Sequence, residues 1–387
     1  MMKCFFTNCV RFIVAALALL TLNACTQTSS GPWNGSVGNN SSTAPQTQQN
    51  NYQNQKPVEV ALLVPLSGKG AQLGQAILNA SQLALFDMNP QNFQLIPKDT
   101  KGNPVDAQIA AQEAINHGAD LVLGPLFSDS VKSVATASAN YNINVLGFTT
   151  DSTAASHNGF AMGFLPSTQV EQIIDYATHQ QKQRFTVVVP NNQYGALVSK
   201  TAREMLSQSG YSAPHIHTIT TQPDVNRLYS DTVANQSQAI LLAVDLNTAS
   251  SISNHLIANG LPNARLQRLG LGLWDDRQRS YSSALEGAWY ASPDPNKRDR
   301  FVRLYKNTYG TTPPRLASIG YDATALAISL AKSGDDYTKN SLTRPNGFYG
   351  LDGIFRFKQD GLVQRKLSIL EFSRGRTMVR VQPSKNF

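Results

Sequence analysis

Hydrophobic and polar positions alternate in blocks along most of the chain, and the first block, residues 58–86, sets the pattern. It opens with a nearly continuous apolar run at 60–66, which is typical of a strand in a parallel sheet covered on both faces. A short turn with Ser67, Gly68 and Gly70 follows, and apolar residues then recur about once per helical turn. The block therefore predicts the strand, turn and helix that begin a βαβ unit.

The same alternation predicts two series of such units. The first series continues with strands at 93–99, 121–126 and 144–150 and helices at 105–117 and 128–140. The second series has strands at 185–190, 215–220, 239–245, 266–271 and 287–291 and helices at 169–179, 195–208, 225–236 and 248–259. Helices at 297–309 and 317–332 follow, and then strands at 353–357, 363–372 and 377–381 separated by the hairpin signals Asp360-Gly361 and Arg374-Gly375.

This order of elements predicts an α/β protein with two lobes and chain crossings between them. It has two series of strands and helices, then two further helices, and finally an antiparallel ribbon. We place these crossings near 165–167, 291–295 and 345–350. The first lobe would then contain residues 58–166 and 296–345, and the second lobe residues 167–292 and 346–387.

The first 24 residues have the form of a bacterial lipoprotein signal peptide. Two basic residues precede an apolar stretch at 12–22 that is too short to span a bilayer. It ends in Leu22-Asn23-Ala24-Cys25, which is similar to a lipobox, so we expect lipidation of Cys25 as the mature N-terminus. Thr26 after the cysteine resembles sorting signals for the periplasmic face of the outer membrane. The alternative is ordinary secretion in which Cys25 is incidental.

The positions of the cysteines predict a mature chain without disulfides, and the composition of the segment after the signal peptide predicts a flexible tether. The other two cysteines, Cys4 and Cys9, lie within the signal peptide, so the folded domain must be stabilised by its apolar core. Residues 25–56 are rich in Ser, Asn and Gln and nearly devoid of charge. Such a segment cannot bury enough apolar surface to fold, and we interpret it as a disordered tether.

The chain is basic. Its net charge is +8, and removal of Lys3 and Arg11 with the signal peptide leaves about +6. A basic envelope protein favours anionic partners such as a membrane surface, a wall polymer or an acidic protein face. No nucleic-acid recognition motif is present, so we predict no nucleic-acid partner. A basic charge without a specific partner is the alternative.

Several motifs, in the order in which they occur along the chain, are similar to those of a known protein family. They are ALLVPLSG at 61–68, DTKGNP at 99–104, LVLGPL at 121–126, PPRLASIGYDATALA at 313–327, and GFYGLDGIFRFKQDGLVQRKLSILEF at 347–372. Taken in order over residues 58–387, the chain resembles type I periplasmic binding proteins of the branched-chain amino acid class. It resembles still more their relatives, the penicillin-binding protein activators.

The resemblance implies a type I periplasmic binding protein fold, in which two Rossmann-like lobes with parallel sheets enclose a cleft and three crossings join them. It also implies a lipid-anchored protein at the outer membrane that binds and activates a peptidoglycan synthase, a penicillin-binding protein. The well-studied activators carry a helical-repeat domain before this fold, and here the tether takes its place. The alternative function is a lipid-anchored solute-binding protein for an amino acid-like or other small ligand.

Candidate cleft residues lie after the carboxyl ends of strands, where open α/β sheets bind ligands. In the first lobe they are Ser67, Gly68, Phe127, Ser128, Thr149 and Thr150. Their hydroxyl and N–H groups would suit a carboxylate or another anion, although Ser128 could equally be a helix cap and Ser67 a turn residue. Tyr194 is the second-lobe candidate, at a turn whose aromatic residue often contacts ligand in the family that the chain resembles. No acid aligns with the role of binding a ligand ammonium group.

Catalytic and metal-binding motifs are weak, so we predict no enzyme activity, no cofactor and no metal site. Gly-x-Ser-x-Gly, Walker A and zinc-protease patterns are absent from the sequence. His215 and His217 would lie on one face of a strand, but we expect a structural role for them. Asp275-Asp276 favours the start of a helix over a pair of catalytic carboxylates.

A candidate partner surface lies on the predicted helix 297–309. Arg300 and Arg303 project from faces other than the apolar one, so they could dock an acidic partner. The alternative is an amphipathic helix that packs on its lobe and has a solvated basic side. Further basic residues on the terminal ribbon form a second candidate of this kind: Arg365, Lys366, Arg374, Arg376 and Arg380.

Overall fold

The computed structural model describes residues 56–220, 224–275 and 281–387 of the chain. The predicted signal peptide at 1–24, the lipidated Cys25 and the tether up to residue 55 lie outside the described residues. Among the helices in the described ranges, none combines the length and the apolar character that a bilayer crossing requires.

The first lobe is built on a five-stranded parallel sheet in the order β2-β1-β3-β4-β5. Its strands are β1 (Val58–Val64), β2 (Phe93–Asp99), β3 (Leu121–Leu123), β4 (Val145–Gly147) and β5 (Gly159–Ala161). The connecting helices are α1 (Ala71–Met88), α2 (Pro104–Asn116) and α3 (Ser128–Ala139). Alternate residues of β1 pack into two different apolar clusters, one on each face of the sheet, which explains why the sequence of this strand is apolar without interruption.

The second lobe has a seven-stranded sheet in the order β15-β14-β10-β9-β8-β6-β7. Its strands are β6 (Phe185–Pro190), β7 (His215–Ile219), β8 (Ala239–Leu242), β9 (Gln267–Gly270), β10 (Trp289–Ser292), β14 (Ser368–Ser373) and β15 (Arg376–Val381). The helices are α4 (Pro166–His179), α5 (Gln193–Gln208), α6 (Val225–Ala234) and α7 (Leu246–Ala258). Strands β6 to β10 are parallel, and β14 and β15 are added antiparallel at one edge.

The chain returns to the first lobe between these two parts of the second lobe. It forms helices α8 (Pro295–Tyr309), α9 (Ala317–Ser333) and α10 (Lys339–Leu342). Helix α8 buries Phe301 and Tyr305 against Ala76 and Ala80 of α1, and α9 packs along α1 and into the main core of the lobe.

A small antiparallel sheet completes the first lobe. Its strands are β11 (Phe348–Gly350), β12 (Gly353–Phe357) and β13 (Val363–Arg365). It continues from β5, because the Ala161 N–H donates to the Gly361 carbonyl at 2.9 Å, and Phe357 packs edge-on against Phe160 with ring centroids 5.1 Å apart. Residues 348–365 thus lie with the first lobe, whereas the sequence placed 346–387 in the second.

The structure therefore confirms the predicted α/β fold of two Rossmann-like lobes joined by three crossings. The observed crossings are at 162–165, 293–294 and 366–367. The first two lie at or next to the predicted positions. The third lies within the predicted strand 363–372, which is divided into β13 and β14 because each half pairs with a different sheet.

The two lobes use the same close contact between a strand end and the following helix. A Cβ on Gly74 in α1 would lie 1.8 Å from the Pro65 carbonyl oxygen, and a Cβ on Gly195 in α5 would lie 1.9 Å from the Pro190 carbonyl oxygen. These distances are far below any permitted contact, so only glycine lets each helix start so close to its strand.

We predict that Gly74→Ala lowers the free energy of unfolding by about 3 kcal/mol, because the methyl group would displace α1 from the end of β1. The measurement is urea unfolding followed by circular dichroism. The matched control is Gly334→Ala at the end of α9, where a Cβ would meet no atom within 4 Å and only the left-handed backbone costs about 1 kcal/mol. Equal losses in the two variants would contradict the steric explanation.

Candidate functional site

A cavity of about 250 Å³ lies between the two lobes, beside the first two crossings. We call it the cleft cavity. Its lining is mostly apolar and comes from both lobes: Thr150, Phe164, Pro166, Gln169, Tyr194, Gly272, Leu273, Asp275, Ala291, Ser292, Pro293, Arg315, Leu316 and Leu367. Gln169 links its walls, because its Oε1 accepts from the Gly272 N–H at 2.6 Å and its Nε2 donates to the Phe164 carbonyl at 3.3 Å.

Tyr194 lines this cavity and has a buried hydroxyl beside it. Asn192 caps helix α5 by accepting from the Gly195 N–H at 3.0 Å, which fixes Tyr194 in the first turn at the cleft. The Tyr194 hydroxyl is buried and has no hydrogen-bond partner within the described part of the chain. Burial raises the pKa of this phenol, so the hydroxyl keeps its proton and can donate it to a ligand acceptor.

The first-lobe turn at Ser67 is already occupied by a carboxylate of the chain itself. Asp99, the last residue of β2, accepts from the Ser67 hydroxyl at 2.6 Å and from the Leu66 and Lys101 N–H groups at 2.8 Å each. Although partial burial acts to raise it, these hydrogen bonds hold the pKa of Asp99 below its ordinary value. The hydroxyl and N–H groups that were predicted to bind a ligand anion at this turn therefore already donate to Asp99.

A second carboxylate occupies the turn at Ser128 in the same way. The Ser128 hydroxyl donates to Asp151 at 2.5 Å, and the Thr153 N–H donates to the other oxygen of this carboxylate at 2.9 Å. Partial burial opposes the effect, but these bonds hold the pKa of Asp151 below its usual range. Thr149 completes the turn, because its hydroxyl accepts from the Asp151 N–H at 3.0 Å.

Of the seven predicted cleft residues, only Thr150 and Tyr194 line the cleft cavity. Gly68 turns the chain beside Lys101 with φ 66°. Phe127 packs on the turn at Gly70, where a Cβ would meet its ring at 2.9 Å, and the Lys69 ammonium group lies 5.1 Å from the centre of that ring. These residues build the first-lobe turns, and their role in ligand binding stays a prediction.

A network of charged side chains lies behind the cleft cavity, where the crossings meet. The Arg315 guanidinium group, just before α9, pairs at 3.0 Å with Asp275 of the second lobe and at 3.0 Å with Asp352 between β11 and β12. Asp352 also accepts from the Ser318 hydroxyl at 2.6 Å, and Asp275 accepts from the Ser292 hydroxyl at 2.8 Å. Arg315 therefore connects the second lobe to the first.

A second arginine extends this network into the core. Arg365 is only 2% exposed, donates to the Met162 carbonyl at 3.0 Å and lies 3.6 Å from Asp322 of α9. The Phe164 ring lies between the two guanidinium groups, 4.4 Å from that of Arg315 and 4.8 Å from that of Arg365. The prediction that Arg365 belongs to a basic surface is wrong, because its side chain is buried in the crossing region.

Asp322 has a strongly raised pKa within this network. Its carboxylate is fully buried and accepts from the Leu351 N–H at 2.7 Å. Burial, together with the nearby Asp352 carboxylate, raises the pKa of Asp322 to about 7, against the opposing effect of Arg365. Burial acts to raise the pKa of Asp352, but the charge of Arg315 and the hydrogen bonds from Arg315 and Ser318 outweigh burial and lower it.

The candidate partner surface is exposed as predicted from the periodicity of α8. Arg300 and Arg303 project into solvent, while Phe301 and Tyr305 anchor the helix to the first lobe. Arg300 also lines a groove of about 330 Å³ with Asp87, Lys297, Phe301, Leu304, Tyr321, Ala325, Tyr349, Gly350 and Leu351. Tyr349 is 77% exposed at this groove. The packed amphipathic helix and the docking surface are thus both compatible with the structure.

The two histidines of β7 converge on one carboxylate. His215 Nε2 lies 3.1 Å and His217 Nδ1 lies 3.9 Å from Asp231 of α6, which Arg227 also contacts. In residues 56–220, 224–275 and 281–387, no group of three acidic, histidine or cysteine side chains is arranged to hold a metal ion. Asp276 lies outside the described residues, and Asp275 follows a short 3-10 turn at Gly272–Trp274 instead of starting a helix.

Sequence reasoning missed the carboxylates Asp99 and Asp151 and the arginine Arg315. Asp99 is separated from Ser67 by a whole helix, so only the parallel pairing of β1 with β2 brings the two together. The one available signal was in the predicted strands, because Asp99 is the last residue of predicted strand 93–99 and Asp151 follows predicted strand 144–150.

Comparison with known proteins identifies the fold family. The profile of a family described as periplasmic binding protein matches residues 57–376. The uncharacterized protein RP748 of Rickettsia prowazekii (strain Madrid E) is 21% identical over 336 residues, which cover 83% of this chain and 88% of that protein.

Two solved structures illustrate the range of similar proteins. A protein from Rhodospirillum rubrum, assigned as a branched-chain amino acid ABC transporter, superposes with a TM-score of 0.75 at 18% identity, covering 84% of this chain and 99% of that chain. The C-domain of LpoA (YraM) from Haemophilus influenzae, a regulator of PBP1A, superposes with a TM-score of 0.65 at 18% identity, covering 84% of this chain and 100% of that domain. At these identities the likeness establishes the fold alone.

We predict that Asp322→Asn removes part of the pH dependence of stability. The raised pKa means that folded Asp322 keeps its proton between the ordinary pKa of 3.8 and about 7, so the wild type loses stability as the pH rises through this window. Asparagine cannot ionise, so the stability of the variant relative to wild type should increase from pH 4 to pH 7 by on the order of a few kcal/mol. Urea unfolding at several pH values measures this difference.

The exposed Asp360→Asn is the control for this prediction, and it should not change the pH profile in that window. A constant difference between Asp322→Asn and wild type at all pH values would contradict the raised pKa.

Proposed function

The chain belongs to the periplasmic binding protein family, and within that family we propose that it is a lipid-anchored regulator that binds and activates a peptidoglycan synthase of the penicillin-binding protein class. In this proposal, the signal peptide and Cys25 deliver the protein to the periplasmic face of the outer membrane. The two-lobed domain then meets the synthase in the periplasm.

The observation that carries the proposal is the occupation of the cleft turns by the chain's own carboxylates. Asp99 takes the donors at Ser67, and Asp151 takes the hydroxyl of Ser128. A ligand carboxylate would have to displace these anions and break their hydrogen bonds, which costs more than it returns. A binding protein whose cleft rejects the carboxylate of an amino acid is better suited to protein contact.

Two further observations support a protein partner. The LpoA C-domain is a regulator of PBP1A with the same fold, which makes regulation a known use of this scaffold. The basic side of α8 supplies a surface for an acidic partner, and Arg300 and Arg303 make no ion pair within the described ranges. Activation would follow if this surface bound the active conformation of the synthase more tightly than the inactive one.

The second candidate function is solute binding, and the cleft cavity is the observation that favours it. Its volume of about 250 Å³ would hold a small ligand. Tyr194 lines the cavity, and its buried hydroxyl is a donor without a partner in the described part of the chain. With apolar walls from Phe164, Leu273 and Leu316, this ligand would be mostly apolar and would carry one acceptor.

We predict that Arg300→Glu with Arg303→Glu weakens binding to the synthase and lowers its activation, because charge reversal would repel an acidic face. The melting temperature should stay within about 1 °C of wild type, since both side chains are exposed. Binding is measured by co-purification from detergent-solubilised envelope with a labelled β-lactam as the detector. Activation is measured as the rate of glycan polymerisation by the purified synthase.

The matched control is Arg203→Glu, which reverses an exposed charge on helix α5 of the second lobe and should leave binding and activation unchanged. Unchanged binding by the α8 double variant would exclude this surface. Absence of any effect of the wild-type protein on the synthase would exclude the proposed function itself.

We also predict that leucine does not raise the melting temperature, because Asp99 and Asp151 exclude its carboxylate from the first-lobe turns. A protein that binds leucine gains about 2.7 kcal/mol at a hundredfold excess over Kd, which thermal melting in millimolar leucine would detect. A rise of several degrees would favour solute binding over regulation.

A further inference from the structure

A second cavity between the lobes is separate from the cleft cavity. We call it the lateral pocket. Its volume is about 250 Å³, and it lies between the first turns of α4, one face of α5 and the turn from β12 to β13. It shares no lining residue with the cleft cavity, because Gln169 of α4 points to one and Glu171 to the other. Leu165 and Thr168 lie between the two spaces.

Glu171 is the unsatisfied group of the lateral pocket. It is half-buried and makes no hydrogen bond or ion pair within the described part of the chain. Burial raises the pKa of Glu171, against the attraction of Lys358. Partial burial weakens the hydration of this carboxylate, and a bound cation would offset that cost.

The other charged groups of the pocket already have partners. Lys358 pairs with Asp360 at 2.9 Å, and Lys200 pairs with Glu204 at 3.8 Å. Both are exposed pairs, so they are weak, and the lysines can turn toward a new anion at little cost. The pocket is thus lined by two carboxylates, Glu171 and Glu204, and by the two ammonium groups of Lys200 and Lys358, and among these four Glu171 is the one without an ion pair in the described part of the chain.

The rest of the lining combines aliphatic surface with the hydroxyls of Ser152, Ser167, Thr168 and Thr201. Leu165, Leu197, Leu362 and Val363 supply aliphatic surface. The Thr201 hydroxyl is satisfied by the Leu197 carbonyl at 3.0 Å. Such walls suit a short alkyl chain between two polar ends.

We propose that the lateral pocket binds a short aliphatic amine whose ammonium group pairs with Glu171 and whose far end is neutral or anionic. A second ammonium group would meet the repulsion of Lys200 and Lys358, so diamines should bind less well. A carboxylate at the far end would instead attract these lysines. The site does not depend on the synthase contact, and it differs from the cleft cavity in position and charge.

Such a ligand would contact both lobes. Glu171 and Lys200 belong to the second lobe, whereas Lys358 and Leu362 belong to the first. Binding would therefore stabilise one relative arrangement of the lobes. It would also change the affinity of any other surface whose geometry depends on that arrangement.

Three probes of equal chain length test the proposal: 5-aminopentanoate, pentanoate and 1,5-diaminopentane. Calorimetric titration of the purified protein at neutral pH should detect 5-aminopentanoate, no pentanoate and several-fold weaker diamine. Glu171→Gln should weaken the binding of 5-aminopentanoate about tenfold or more, because it removes the charge that pairs with the ammonium group. Leu197→Phe, which fills the pocket from α5, should abolish the binding.

Two variants serve as controls. Asp175→Asn makes the same chemical change on the exposed side of α4 and should leave the affinity unchanged. Tyr194→Phe alters the cleft cavity alone and should also leave it unchanged. The proposal is overturned if no probe binds at millimolar concentration, if pentanoate binds as well as 5-aminopentanoate, if Glu171→Gln keeps wild-type affinity, or if Tyr194→Phe loses it.

Discussion

The arrangement of the two lobes depends on the neutralisation of charges that are withdrawn from water where the crossings meet. Two guanidinium groups, Arg315 and Arg365, face three carboxylates, Asp275, Asp322 and Asp352. With every group ionised, the network would carry one excess negative charge in a medium that solvates charge poorly. Burial, together with the neighbouring Asp352 carboxylate, raises the pKa of Asp322 to about 7, and the protonated form of Asp322 removes that excess. Four of the five side chains belong to the first lobe, and Arg315 supplies the counter-charge for Asp275 of the second lobe.

The fold could be predicted from the sequence because its main signal is local. The apolar run at 60–66 is buried on both faces of a sheet, and this constraint is visible in the run itself. The third crossing could not be predicted, because 363–372 is uniformly strand-like and only partner sheets distinguish its halves. The candidate site was anticipated at Thr150 and Tyr194, but the anion that fills the turn at Ser67 comes from Asp99, a long-range partner. Pairings of this kind leave no periodic trace in a sequence.

The two spaces between the lobes differ in what they leave unsatisfied. In the cleft, the strand-end donors are saturated by internal carboxylates, and the remaining open group is the neutral hydroxyl of Tyr194. In the lateral pocket, the open group is the carboxylate of Glu171. The groups without a partner determine what a cavity can bind. The cleft cavity therefore favours apolar contacts, and the lateral pocket favours a cation. The proposed protein contact and the proposed ligand site therefore concern different places on the same fold.

The late return of the chain to the first lobe means that neither lobe is complete until the end of the chain is in place. The central strands of the second lobe, β6 to β10, are complete once residue 292 has emerged. The first lobe has to wait for α9 and for β11 to β13, which end at Arg365, before its main core can close. Until then β5 has a free edge and the apolar face of α1 has no cover. The sheet of the second lobe is completed later still, by β14 and β15, which end at Val381. Both lobes are therefore incomplete until the last part of the chain is available, and the open edge of β5 is a site that needs protection from aggregation until then.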